Sequence, residues 1–469
     1  MERRYKAGSN EVNLESVSSI NAVFEQINLA EQGGGAKIFM TQLYHNISLT
    51  EIFFNPLVEL YPLSDHQRDC PEISDLDYLV MGVSRCVSNA ESGNDFLQSY
   101  RMEDGSKVSV SHFFEALKSP RRLSHQKSMN DRLRPYLKDH MNDELARFEE
   151  FKKWHFLAGD GHYQKAAIFD PKTKADTSRK EPSKTPTGHF FKLDLRTHHL
   201  GYLDLAQPDD GKKSEHDMKM LKRQDLESLR DGSPKGTKVL WLWDRASIDY
   251  HFWLKAKSQK GVYFATMEKS NSVTKLIREH SIIDYQDERN EGLRSDRMVE
   301  TSEGFEIRQI IYTDPKDGVE YRYLTNELTL PAWALVLLYK HRWDIEKVFD
   351  ELKTKCGEKR SWASSKTAKQ AHALFLCLTH NLMLLLEENL HSKEEMKDNV
   401  EPKKVETRDK TKLKGWRKKL TPSFINSFFT RASQRTCRFI RWLRDGLHKR
   451  LSYKQSLVEL ADVWQCKSP

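Results

Sequence analysis

Residues 333–355 read WALVLLYKHRWDIEKVFDELKTK. At about 100° per residue, Tyr339, Arg342, Glu346, Asp350 and Lys353 fall within an arc of roughly 80° on a helix running from Ala332 through Lys355. Leu338, Ile345, Val348, Phe349 and Leu352 occupy the opposite arc, the pattern of a helix with one face in a core and one face titratable. A solvated surface face has the same periodicity, so this helix alone leaves its chemistry open.

Working outward, the preceding chain carries short apolar or alternating runs bounded by Gly, Pro and Asp: HFLAG (155–159), FFKLDL (190–195), LGYLDL (200–205) and VLWLW (239–243). Arg196-Thr197-His198-His199 is a hairpin-length connection between the second and third. A lysine-rich helical pattern lies between Gln207 and Thr237, and another helix is expected after Asp244. Strand, hairpin, helix, strand, helix is an α/β layer order. Further strand-like runs at Gly261–Met267, Phe305–Tyr312 and Tyr321–Leu324 read as a β-rich insertion over about 261–331, and helical periodicity returns over Thr367–Leu390.

Two aspartates close predicted strands, Asp160 after HFLAG and Asp244 after VLWLW. Carboxylates at the ends of adjacent strands sit beside the core yet reach solvent, and two of them can share a divalent cation through oxygen ligands. Turn-capping aspartates stand in the same places. Asp194 and Asp204, inside strands, are weaker candidates.

Tyr339, two residues, Arg342, three residues, Glu346, six residues, Lys353 resembles the Y-(2)-R-(3)-E-(6)-K signature of DDE transposases of the insertion sequence 4 type. Four fixed residues at fixed spacing recur by chance in only about one chain in several hundred of this length. LAGDGHY and LWLWDRA are similar to the contexts of that family's first two aspartates, and the likeness spans about residues 150–390. The resemblance implies an α/β, ribonuclease-H-like core with Asp160, Asp244 and Glu346 as a catalytic triad holding two Mg²⁺ ions, with Mn²⁺ able to substitute. It implies a β-rich insertion between the second and third carboxylates. It also implies cleavage at transposon ends and strand transfer into target DNA by a homodimer in a synaptic complex. By the same comparison Tyr339, Arg342 and Lys353 hold the DNA end, and Trp343, beside the signature arginine, is placed to probe the duplex. Two other readings remain: a ribonuclease-H-like nuclease that cuts without joining, and an inactive DNA-binding protein built on the transposase fold.

Composition narrows the setting. The chain has 469 residues, 38% hydrophobic and 31% charged, too many for one core, and about three domains are expected: a helical 1–150, a catalytic 151–390 and a basic linker and helical tail over 391–469. Residues 1–150 are the expected binder of terminal inverted repeats, and Gly33-Gly34-Gly35 reads as a hinge. The pattern around Val110–Lys138, with a Ser119-Pro120 break, fits either a helical hairpin or a helix-turn-helix. Residues 397–469 hold 19 Lys/Arg against 7 Asp/Glu, leaving 57 against 61 for the rest, so the whole basic excess is in the tail. After the lysine run from Lys403 to Lys419, Arg431, Arg435, Arg438, Arg441 and Arg444 recur at helical spacing, a stripe suited to phosphate contact or to a solvated face. Apolar runs fall short of the roughly 20 residues a membrane span requires, the polar start does not read as a signal peptide, and six scattered cysteines write neither a disulfide framework nor a zinc knuckle. A reducing cytoplasmic setting, on nucleoid DNA, is the expectation.

Overall fold

The computed structural model describes residues 47–61, 72–88, 90–102, 105–173, 183–209, 212–356, 358, 360–400, 423–427 and 435–467. The periodic segment at Val17–Leu29, most of Ile38–Leu49, the triple-glycine hinge, the Lys403–Lys419 run and Arg431 lie outside the described residues.

The sheet has nine strands: β1 (Trp154–Gln164), β2 (Thr187–Asp194), β3 (Leu200–Leu205), β4 (Lys238–Leu242), β5 (Val262–Met267), β6 (Thr274–Glu279), β7 (Leu293–Thr301), β8 (Glu306–Thr313) and β9 (Glu320–Thr325). Their spatial order is β3-β2-β1-β4-β5-β9-β8-β7-β6. β1, β4 and β5 run parallel, and β2 and β3 complete an antiparallel meander on β1. This mixed five-stranded order is the ribonuclease-H-like core. The other four strands prolong the same sheet, because β9 pairs antiparallel with β5. Val262–Met267, grouped with the insertion on sequence, is therefore the fifth core strand, and the insertion begins after it. A strand buried on both faces reads as a plain apolar run and carries no mark of which sheet it joins.

Alternation along the strands separates two cores. Phe156, Ala158, Phe191, Leu193, Leu240 and Leu242 face one way, while Leu157, Phe190, Val239, Trp241 and Trp243 face the other. The second face is covered by α6 (Asp217–Arg223) and α7 (Tyr250–Lys260) through Met218, Leu221, Trp253 and Ala256. The first is covered by α8 (Ala332–His341), α9 (Asp344–Lys355) and the 27-residue α10 (Lys366–Ser392).

The N-terminal helices share that first core. They are α1 (Leu49–Leu60), α2 (Asp75–Val87), α3 (Gly93–Ser99), α4 (Val110–Ala116) and α5 (Pro120–His140). Ser48 and Glu51 form a capping box that starts α1, and Ser119 caps α5 with Pro120 in its first turn, where a missing N–H costs nothing. α5 lies along α10 with Met129, Leu133 and Leu137 buried, and Asn130 reaches the Leu200 carbonyl and Asn381. The opposite face of α5, with Lys127, Asp131, Arg132 and Lys138, is exposed.

The tail returns to the same body. Beyond the short α11 (Phe424–Ser427), α12 (Cys437–Lys449) and α13 (Tyr453–Trp464) pack on α1, where Leu49 donates to the Leu451 carbonyl and Tyr453 to that of Ile47. Arg435, expected in a solvent-facing stripe, is instead 1% exposed. Its guanidinium lies 3.1 Å from Glu351 on α9, 3.2 Å from Glu387 and 3.3 Å from His380 Nδ1 on α10. Arg438 pairs with Asp398 at 2.9 Å, and Arg444 donates to the Val87 and Lys355 carbonyls; Arg441 remains exposed. The tail arginines thus fasten the tail to the catalytic-side helices, because Glu351 is fully buried and needs a cation.

Arg435→Met leaves Glu351 uncompensated and is expected to cost about 3–5 kcal/mol in chemical denaturation, most of it recovered by adding Glu351→Leu. A loss under about 1 kcal/mol contradicts a dry, paired site.

Candidate active site

The parallel register of β1 and β4 runs from Trp154 beside Lys238 to Ala158 beside Leu242. β4 then parts from β1, the Trp243 N–H still bonding the Ala265 carbonyl of β5, whereas β1 continues to Gln164 paired only with β2. Asp160 and Asp244 are each two residues past the last pair: Asp160, opposite Phe191, is on the face that looks toward α8–α10, and Asp244 stands just beyond the end of β4, near Ser247 and Asp217. Asp160 was expected to end its strand; it lies inside β1, at the point where the parallel neighbour has turned away. Gly159 makes room for that turn, since a Cβ there would stand 2.3 Å from the Trp243 indole.

Three contacts hold the chain at Asp244. Its Oδ1 accepts from the Ala246 N–H at 2.8 Å, Thr266 Oγ1 donates to its carbonyl at 2.6 Å, and Tyr339 donates its hydroxyl to the Trp243 carbonyl at 3.0 Å. Tyr339 is 3% exposed. Tyr339, expected to hold the DNA end, is thus buried with its hydroxyl on the backbone just before Asp244.

The helix expected over Ala332–Lys355 is broken between α8 and α9 at Arg342-Trp343. The Arg342 N–H is shared between the Leu338 and Tyr339 carbonyls at 3.2 Å each, and Trp343 donates to the Lys340 carbonyl, a tightening to i→i−3 bonds. Arg342 is 4% exposed. Its Nη2 donates to Glu346 Oε1 at 2.8 Å, and its Nη1 stands 3.9 Å from Asp160 Oδ2. Among the described residues, Nε and Nη1 have no hydrogen-bond partner. The guanidinium also lies 4.9 Å from the Trp343 ring centre, and Trp343 is 52% exposed. Lys353 projects into solvent two turns beyond Glu346. Ile345, Val348, Phe349 and Leu352 are buried, the face the periodicity assigned to the core.

Electrostatics tie the carboxylates together. Burial pushes the Asp160 carboxyl up to about 6, with Arg342 and the Gly161 N–H pulling it back and Glu346 and Asp244 adding to the rise. Asp217, at the start of α6, is pushed up to about 7 by burial and by Asp244 and Asp160. This fourth carboxylate was missed on sequence, hidden in a lysine-rich segment whose docking brings it to the site. Asp194 is buried with His155 and the Arg196 N–H, which together hold it well below the usual carboxylate range, and Asp204 pairs with Arg223 at 2.9 Å. Neither belongs to the cluster.

Oxygen donors from Asp160, Asp244 and Glu346, with Asp217 beside them, are the donor set that Mg²⁺ and Mn²⁺ take. Among the described residues no three carboxylate, imidazole or thiol groups already stand as a metal cage. Asp160 and Glu346 are instead arranged about the Arg342 guanidinium. The donor chemistry fits a divalent cation, and the local excess of negative charge favours one.

Folding raises the pKa of Asp160, so between about pH 4 and 6 the folded chain holds a proton that the unfolded chain releases, and this group's contribution to stability falls as pH rises through that window. Asp160→Asn is expected to flatten that part of the melting-temperature profile measured in chelator; a profile of unchanged slope contradicts the assignment.

Against this geometry, comparison with known proteins gives one family match. No curated protein matched the chain. Residues 171–382 match the family model described as "Transposase DDE domain", a stretch that contains Asp244, Tyr339, Arg342, Glu346 and Lys353 and begins after Asp160. That stretch is similar to the catalytic domain of transposases.

Proposed function

We propose that the chain is a DNA transposase that cuts at the ends of a mobile element and joins the freed 3′ hydroxyl to target DNA. The observation that carries this reading is Asp160 and Glu346 about the Arg342 guanidinium, with Asp244 near enough to raise the Asp160 pKa, at the end of a ribonuclease-H-like strand pair.

Asp160, Asp244 and Glu346 are the residues that would hold two Mg²⁺ ions, or Mn²⁺ in their place. When bound, such a pair polarises the phosphate and stabilises the attacking and leaving oxygens of an in-line displacement. The protein's own part is positioning. Tyr339 and Thr266 fix the backbone at Trp243 and Asp244, so the second carboxylate is preorganised. Arg342, with two guanidinium nitrogens lacking hydrogen-bond partners among the described residues, is suited to a non-bridging phosphate oxygen once a cation takes over its carboxylates. Lys353, exposed on the same helix, adds a second phosphate contact, and Trp343 presents an aromatic surface to the duplex. The DNA partners are terminal inverted repeats and target DNA, and two copies of the chain are needed to bring two ends together.

The test is strand cleavage of end-containing DNA by the purified chain with Mg²⁺ or Mn²⁺, beside Glu346→Gln. Metal-dependent nicking by the wild type and none by the variant is expected, followed by joined products when target DNA is added. Equal nicking by both proteins would overturn the role of Glu346, and nicking without joining would make the chain a nuclease.

A further inference from the structure

Asp217 is the first residue of α6, and a carboxylate in a first helical turn is ordinarily a stabilising partner of the exposed N–H groups. That accounts for an aspartate facing solvent. Here the side chain is half-buried and turned toward Asp244 and Asp160. Ser247 Oγ lies 3.1 Å from Asp217 Oδ2 and 3.4 Å from Asp244 Oδ1, so one hydroxyl proton serves either carboxylate. Ser247 is 1% exposed and can find little solvent to bond instead.

The basic residues of the same helix are engaged elsewhere. Lys219 pairs with Asp209, Lys222 with Asp249, and Arg223 with Asp204 and Glu215. Among the described residues no cation pairs with Asp217. The fold thus places a carboxylate among like charges and leaves it without a counter-charge. A second feature of the site points to a ligand there: Arg342, 4% exposed, directs Nη1 toward Asp160 with no hydrogen bond from Nη1 or Nε to the described residues. An anion-binding group on Asp160 and Glu346, with Asp217 lacking a cation of its own near Asp160 and Asp244, suits a metal-bound phosphate.

We propose that Asp217 is a positioning residue of the cation site: through Ser247 it orients Asp244, and its charge adds to the attraction for the divalent ion. This rests on the metal-dependent reading above and names a residue that the triad leaves out. Groups that orient a metal-binding side chain typically contribute about 10- to 100-fold to metal affinity. A residue present only for the fold lowers stability when it is removed. A carboxylate retained against like charges does the opposite.

The experiment measures Mn²⁺ affinity by electron paramagnetic resonance and melting temperature in chelator for the full chain, Asp217→Ala, Asp217→Asn, Ser247→Ala and Asp160→Asn. Both Asp217 variants are expected to bind Mn²⁺ about tenfold more weakly while melting, without metal, at or above the wild-type temperature. Ser247→Ala should weaken Mn²⁺ in the same direction. If Asp160→Asn weakens Mn²⁺ but both Asp217 variants bind it as the wild type does, the inference is overturned and the metal-dependent reading stands. Lower melting temperatures for both Asp217 variants with unchanged Mn²⁺ affinity make the residue structural. Mn²⁺ binding that is absent in the wild type, or indifferent to Asp160→Asn, overturns both.

Discussion

The parallel pairing that sets Ala158 beside Leu242 is the constraint from which the site follows. Two residues beyond that pair come Asp160, still inside β1, and Asp244, in the segment after β4 that Thr266 and Tyr339 hold in place. Parallel strands buried on both faces leave little freedom to slip, because a shift by one residue would turn Phe156 and Ala158 out of one core and Leu157 out of the other. β4 then parts from β1 over Gly159, which opens the sheet at the place where α9 can approach. The candidate carboxylates sit where a strand loses its neighbour, the ordinary position of ligands on open α/β sheets.

The third carboxylate arrives by another device. Glu346 is on a helix, and its place is set by Arg342 one turn earlier, which is buried between Glu346 and Asp160. Tyr339 connects the two arrangements, since its hydroxyl bonds the carbonyl just before Asp244. Tyr339 thus bonds the backbone before Asp244, Arg342 spans Asp160 and Glu346, and Lys353 is left in solvent. Behind α9, the buried pairing of Glu351 with Arg435 attaches the tail to the helix that carries Glu346. The N-terminal helices, the sheet and the tail share one apolar cluster as a result.

Much of this was legible in the sequence because it is local. The 3.6-residue period separates Glu346 from Ile345, Val348 and Phe349, and short apolar runs ending in aspartate mark Asp160 and Asp244. What could not be read depends on partners distant in the chain. Arg435 and Arg441 belong to the same stripe, yet one is buried and one exposed, and the difference is made by Glu351 and Glu387 more than 40 residues away. Asp217 carries no local mark at all; its place is decided by how Met218 and Leu221 dock α6 against the sheet. Strand Val262–Met267 was assigned to the insertion because an apolar run does not announce which neighbour it will pair with. The break at Arg342-Trp343 was invisible for a different reason, since both residues keep right-handed helical angles and only the hydrogen bonds shorten their reach.

On the proposed reading, this register and this helix together build a divalent-cation site. The most direct measurement is an anomalous difference map from a crystal of the full chain soaked in Mn²⁺. Mn²⁺ density is expected in contact with the Asp160 and Asp244 carboxylates, with Glu346 turned from Arg342 toward the ion. Mn²⁺ bound elsewhere, with Arg342 still holding Asp160 and Glu346, would contradict it.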